Sequence, residues 1–224
     1  MKKFSYSIAD RITPRNEFVF NFCGEVKGKT ILDIGCGFGW YEKMAVANKA
    51  KSITGIEPEE KYFYNARNEV PAAKFLTGTA VKLPFKKSSF NKVIMLEVLE
   101  HLSPGKESLC LKEINRVLVS GGEFILSTPN KHLISCLLDP AWYFGHRHYN
   151  LKFIKDLAEK NGFIVKEVFI YGGFWEMIRM IPHYFFKWIF NSEDPLKIFF
   201  EAMIQRDKEN PSNFAYLYIK SIKK

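Results

Sequence analysis

From about residue 30 to residue 170, apolar runs of strand length alternate with longer segments whose apolar residues recur at helical spacing. The strand-like runs are Thr30–Ile34, Ser52–Ile56, Lys74–Leu76, Lys92–Leu96, Glu123–Ser127 and Ile164–Ile170. Each is almost continuously apolar, as a strand covered on both faces must be. The intervening pattern predicts helices over Trp40–Asn48, Glu59–Asn68, Gly105–Val119 and Leu151–Asn161, the last two closed by Gly121 and Gly162. Strand and helix in alternation predict an α/β fold around a parallel sheet. Residues 1–28 read as a helical lead-in, and Phe214–Ile222 as a final strand closing the sheet at its edge. Residues 171–213, too long for a hairpin, read as a helical insertion before that strand. The whole of 1–224 is expected to form a single domain without internal repeats.

Length and composition narrow this further. A chain of 224 residues with 47% apolar content can bury one sizeable core. No 18-residue stretch is free of charged side chains, and the basic start runs into Ser5, Ser7 and Asp10, so neither a spanning helix nor a secretory signal is expected. Cys23, Cys36, Cys110 and Cys136 are widely spaced and form no framework, which fits free thiols in a reducing cytoplasm. The net charge of +9 admits anionic substrates, nucleic acid or an acidic membrane surface and selects none of them.

The chemistry begins where the first strand ends. Ile31-Leu-Asp-Ile-Gly-Cys-Gly-Phe-Gly39 sets Gly35, Gly37 and Gly39 at the turn from strand to helix, where backbone amides can approach a ligand that side chains would block. A dinucleotide loop needs glycine where this chain has Trp40. After the second strand, Glu57-Pro58 supplies a carboxylate suited to two ribose hydroxyls.

Taken with Gly78-Thr-Ala-Val-Lys-Leu-Pro-Phe85, Phe90–Leu102, which contains Glu97-Val-Leu-Glu-His101, and Leu111–Asn130, this order of motifs resembles the class I S-adenosylmethionine-dependent methyltransferases over about residues 25–170. The resemblance implies a Rossmann-like, doubly wound, mostly parallel seven-stranded sheet with a reversed strand at its edge. By the same analogy Asp33, Gly35 and Gly37 line the methionine of S-adenosylmethionine, Glu57 holds its ribose, and Thr79 with Ala80 flanks its adenine. Cys36, Pro58 and Leu96 adjoin them. The chain departs from the family pattern at Thr79 and Asn91, where aspartate is common.

Glu97, Glu100 and His101 follow the fourth strand, and one helical turn would gather them on one face. Glu97 and His101 are the catalytic candidates, His101 as general base, with His148 from Gly145-His-Arg-His-Tyr149 as a third. A divalent cation on Glu97, Glu100 and His101, completed by His146 or His148, is the competing reading, and a plain buttress for the following turn is the structural one. Arg147 is a candidate for an acceptor phosphate or carboxylate.

In Phe174–Phe190, Glu176, Arg179, His183 and Lys187 share one sector of ~80° of a helical wheel, while large apolar residues cover most of the rest. Pro182 should kink or split this segment, and Asp194-Pro195 should start a further helix carrying Leu196, Phe199, Phe200 and Met203. The expected role is a lid over the substrate. A peripheral membrane contact or a homodimer through 174–190 would use the same face. The function expected is methyl transfer to an oxygen or nitrogen of a small or amphiphilic acceptor. RNA ribose methylation and a non-catalytic cofactor-binding module are its rivals, and the lack of a Lys/Arg-rich stripe ranks nucleic acid lower.

Overall fold

Strands covered on both faces need apolar side chains at odd and even positions alike, and the central runs supply them. Ile31, Ile94 and Ile125 enter the core on one face of the sheet, while Leu32, Val93 and Phe124 enter it on the other. The computed structural model describes residue 8 and residues 12–190, 195–207 and 213–224. Its strands are β1 (Thr30–Ile34), β2 (Ser52–Glu57), β3 (Lys74–Thr77), β4 (Phe90–Leu96), β5 (Leu118–Pro129), β6 (Phe163–Tyr171) and β7 (Tyr216–Lys223). They form one sheet in the order β3-β2-β1-β4-β5-β7-β6. The first five pair in parallel, and β7 runs antiparallel to both of its neighbours. The seven-stranded, mostly parallel fold with its reversed strand is therefore as expected.

The position of that strand corrects one expectation. The final strand does not close the sheet; it lies between β5 and β6, and β6 takes the edge. Burial explains the order, because Tyr216 to Ile219 are all buried whereas β6 alternates between covered and exposed positions.

Helix α1 (Pro14–Cys23) lies within the expected lead-in, of which residues 1–7 and 9–11 fall outside the described residues. Thr13 and Asn16 form a capping box, Pro14 takes the first turn and Gly24 ends the helix at φ +73°. Helices α2 (Trp40–Ala47), α5 (Glu107–Val117) and α7 (Leu151–Lys160) stand close to their predicted bounds. Between α2 and α5, the predicted helix over Glu59–Asn68 breaks into two single turns, α3 (Glu60–Phe63) and α4 (Ala66–Glu69). Gly121 does not close α5, which runs through Leu118 directly into β5, whereas Gly162 follows α7 at φ +83° as a terminating glycine. Asn91 proves useful where it stands, since its Oδ1 accepts from the Thr30 amide at 2.9 Å and the Thr30 hydroxyl at 2.7 Å, tying β4 to the start of β1.

Before α7, β5 leads into α6 (Leu133–Leu138) and a 3-10 turn, Pro140–Phe144. The insertion comprises α8 (Phe174–Ile178), α9 (Met180–Phe185), a π turn over Phe186–Phe190 and α10 (Lys197–Asp207). It splits at Arg179, so that Pro182 falls early in the second helix; Asp194 lies outside the described residues. Two expectations about its faces change. Glu176 is buried rather than part of a solvated stripe, with Arg15 of α1 3.9 Å away. Met177 and Phe200 are buried, but Phe185, Ile189 (62% exposed) and Phe190 (59%) face outward. Among the described residues no helix is long and apolar enough to cross a membrane.

Candidate functional site

The strand order reverses between β1 and β4, and ligands in open α/β sheets collect at the carboxyl ends beside such a reversal. The pairing register brings the ends into line: Asp33 stands opposite Gly55 and Ile94, and Glu57 opposite Thr77. Hence Asp33, Gly35, Cys36, Gly37, Glu57, Pro58, Thr79, Ala80 and Leu96 all sit on or next to one edge.

The turn after β1 can only be glycine at its first position. Gly35 has φ +78°, and a Cβ there would lie 2.2 Å from Val98 Cγ2. Gly37, at φ +50°, has no neighbour closer than 4.0 Å to its missing Cβ, and its amide donates to Glu57 Oε2 at 3.3 Å. Around this loop lie three carboxyls that have no salt bridge to any of the described residues. Burial raises Asp33 to about 7, with Glu57 adding to the shift. Glu57 is raised by partial burial against the Gly37 amide that lowers it. Glu42, 0% exposed and with no hydrogen-bond partner for either oxygen among the described residues, is raised well above its ordinary value by burial and by Asp33. An acid-rich ledge under open glycine backbone fits a ligand that brings positive charge, such as a sulfonium and an ammonium, and disfavours a diphosphate. Ala80 is buried beside this ledge, and Cys36 is buried with its thiol pushed up by burial and by Glu42.

One strand further, Glu97 begins the second half of the site. It adopts φ +55°, a left-handed conformation rare outside glycine and often found where function demands it. Its amide donates to Ser127 O at 3.1 Å, and the Ser127 hydroxyl donates to Glu97 Oε1 at 2.5 Å. Arg15 reaches within 3.7 Å of the same oxygen, stacks on Tyr216 at 3.7 Å and donates to the Tyr218 hydroxyl at 3.1 Å. Burial raises the Glu97 carboxyl, and Arg15 opposes that.

Glu97 opens onto a cavity of about 200 Å³ bounded by Glu100, His101, Asp139, His146 and His148 on its polar side and by Met177, Met180, Tyr184 and Tyr216 on the other. Its groups differ in what is left free. Glu100 is 4% exposed; Oε2 accepts from Thr128 at 3.0 Å, and Oε1 has no hydrogen-bond partner among the described residues. His101 lies at the rim on the 3-10 turn Leu99–His101, its pKa lowered by partial burial and then by His146 and Arg147. His148 is buried, with Nε2 2.9 Å from Asp139 Oδ2 and Nδ1 3.3 Å from Asn130 O. Both of its nitrogens are thus engaged within the cavity wall. His146 instead has Nδ1 on Asp139 Oδ2 at 2.8 Å and its Nε2 toward the cavity. Burial acts to raise Asp139, but the two imidazoles and the Ala141 amide pull it well below the usual carboxylate range. Arg147 turns away from the cavity: it pairs with Glu107 and donates to the Glu100, Leu99 and Leu102 carbonyls, fastening the turn that carries His101.

Sequence reasoning missed Arg15, Glu42 and Asp139, and left His146 as an alternative. An Asp-Pro step before the aromatic turn was the readable sign for Asp139, since its side chain accepts from Ala141 two residues on.

A glycine ledge rich in acids thus lies beside a polar cavity at the carboxyl edge of the sheet. Residues 32–126 match the family described as a methyltransferase domain. The chain is 30% identical over 155 residues to a Mycolicibacterium smegmatis protein named as a probable S-adenosylmethionine-dependent methyltransferase, covering 68% of this chain and 59% of that protein. It is 34% identical over 110 residues to a tRNA U34 carboxymethyltransferase of Pseudomonas aeruginosa, covering 46% of this chain and 33% of that one. In structure it resembles an S-adenosylmethionine-dependent methyltransferase from Mesorhizobium loti, with a TM-score of 0.69 at 16% identity over 93% of this chain and 97% of that one. The chain thus spans less than two thirds of the length of these two sequence relatives. The family match and these sequence relatives support a methyltransferase domain of the class I S-adenosylmethionine-dependent kind, and the fold agrees with it.

Proposed function

We propose that this chain moves the methyl group of S-adenosylmethionine to an oxygen or nitrogen of a small or amphiphilic acceptor bound between Glu97 and Tyr184. The observation that carries this reading is the strained Glu97, set at the carboxyl end of β4 next to the glycine ledge and opening onto the cavity. The cofactor supplies an electrophilic methyl on a good leaving group, so the protein has to align the acceptor and take its proton. Asp33 and Glu57 hold the cationic and ribose ends, while Met177, Met180 and Tyr184 close over the acceptor and exclude water. Glu97, raised by burial and fixed by Ser127, is the group placed to receive the proton. A cavity of about 200 Å³ suits a compact reacting group, and the apolar side chains around it suit a hydrocarbon or aromatic extension.

Asp139, held ionised by its imidazole partners, and the absence of a free cation among the residues of the cavity wall oppose a phosphate backbone, which supports a small acceptor over RNA ribose. The test is transfer of labelled methyl from S-adenosylmethionine to panels of phenols, amines, long-chain amphiphiles and transfer RNA. Label in the first three and none in RNA is the expected result. Label confined to RNA would overturn the acceptor class.

A further inference from the structure

Glu100 Oε1 is buried without a hydrogen-bond partner among the described residues, and His146 Nε2 faces it 3.9 Å away. That separation is too long for a hydrogen bond. It suits two ligands of one cation, each ~2.0–2.2 Å from the ion, after the side chains close by a few tenths of an ångström. The other nitrogen of His146 is held by Asp139 at 2.8 Å, which makes Nδ1 the protonated one and aims the Nε2 lone pair toward Glu100. A carboxylate behind a histidine in this way orders and strengthens a metal-binding imidazole. Asp139 is itself fixed, accepting from the Ala141 amide and from His148, both at 2.9 Å. His101 completes the set: its ring lies 5.0 Å from that of His146, and ligand atoms of Glu100, His101 and His146 all fall within 4.8 Å of one another.

We propose that Glu100, His101 and His146 bind a divalent transition-metal ion on the wall of the acceptor cavity, with Asp139 as the outer partner of His146. The set differs from the competing one read from sequence, Glu97, Glu100 and His101 completed by His146 or His148, because Glu97 is occupied by Ser127 and Arg15. Asp139, His146 and His148 also converge within 4.8 Å, but they satisfy one another by hydrogen bonds at 2.8 and 2.9 Å and leave no free oxygen for an ion. Two imidazoles and one carboxylate favour manganese, iron, cobalt or zinc over magnesium and calcium, which prefer oxygen ligands. An acceptor oxygen in the cavity could occupy an open position on such an ion. The proposal concerns ion binding and stands or falls separately from the acceptor class.

The experiment titrates chelator-treated protein with Co²⁺, read by visible absorption and by equilibrium dialysis, with S-adenosylmethionine affinity measured in parallel as a check on folding. The expected result is a single Co²⁺ per chain with ligand-field bands, lost in Glu100→Gln and His146→Gln and weakened ~10–100-fold in Asp139→Asn. His132→Ala, a histidine outside the cluster, should bind as the parent does. If His146→Gln loses cofactor binding as well, Glu100→Gln and His101→Gln carry the comparison. No stoichiometric uptake, or uptake equal in the parent and in Glu100→Gln and His101→Gln, would overturn the proposal and leave Glu100 a protonated buried acid.

Discussion

Replacing Asp33 with asparagine should stabilise the cofactor-free protein at alkaline pH while weakening its cofactor. Asp33 is 3% exposed, and its carboxyl is raised by burial from 3.8 to about 7. Between those values the native state binds more protons than the unfolded chain, so stability falls as pH rises through the window and levels off above it. Three units at 1.36 kcal/mol each give about 4 kcal/mol at pH 8, an upper figure because Glu42 shares the environment. Asp33→Asn removes that cost, and about 2–4 kcal/mol of added stability at pH 8 should shrink toward zero near pH 4. Urea unfolding at a series of pH values without cofactor reads this directly. S-adenosylmethionine, bringing positive charge, should draw the same carboxyl down and release a proton on binding near pH 6–7, seen as heats that depend on buffer ionisation. If Asp33→Asn destabilises the protein equally at pH 5 and pH 8, the carboxyl is not held protonated and the reasoning fails.

Glu57→Ala should lose two ribose hydrogen bonds to a charged acceptor, about 2–4 kcal/mol of S-adenosylmethionine affinity by calorimetry, and neither parent nor variant should bind nicotinamide dinucleotides. Glu97→Gln should slow methyl transfer ~10²–10⁴-fold at unchanged cofactor affinity, the pattern of a lost proton acceptor. Gly35→Ala, which must fit a methyl 2.2 Å from Val98 at φ +78°, should lower the melting temperature and weaken the cofactor together. Replacing Phe185 and Phe190 with serine should leave melting temperature and cofactor affinity as they were, read by thermal unfolding and calorimetry, because both rings face outward.

How far the molecule can be read from its sequence follows from how local each contact is. The strands β1, β2, β4 and β5 announce themselves as continuous apolar runs, and the ledge is legible because Asp33, the glycines and Glu57 belong to adjacent strands. Strand order is not local. The unbroken run Ala215 to Ile219 was nevertheless a sign that β7 lies inside the sheet, and Lys166 and Glu167 a sign that β6 lies at its edge. The choice between His146 and His148 turns on which ring Asp139 and Asn130 enclose, and no spacing rule carries that. Glu176 sits on a polar stripe by helical arithmetic, but Arg15, distant in sequence, draws it inside. Nor does any pattern announce the left-handed backbone of Glu97.

Arg15 has a bearing on the order in which the halves of the site can form. Its partners Tyr216 and Tyr218 lie on the last strand, the latter 203 residues away, whereas the glycine ledge draws on residues 33–57 and their immediate neighbours. Closing so long a loop costs entropy before any contact rewards it, so the ledge can organise early from nearby segments. The wall that Tyr216 completes has to wait for β7 to enter between β5 and β6, where Arg15 can stack on it. During synthesis the residues of the ledge therefore emerge long before the last residues of the cavity wall.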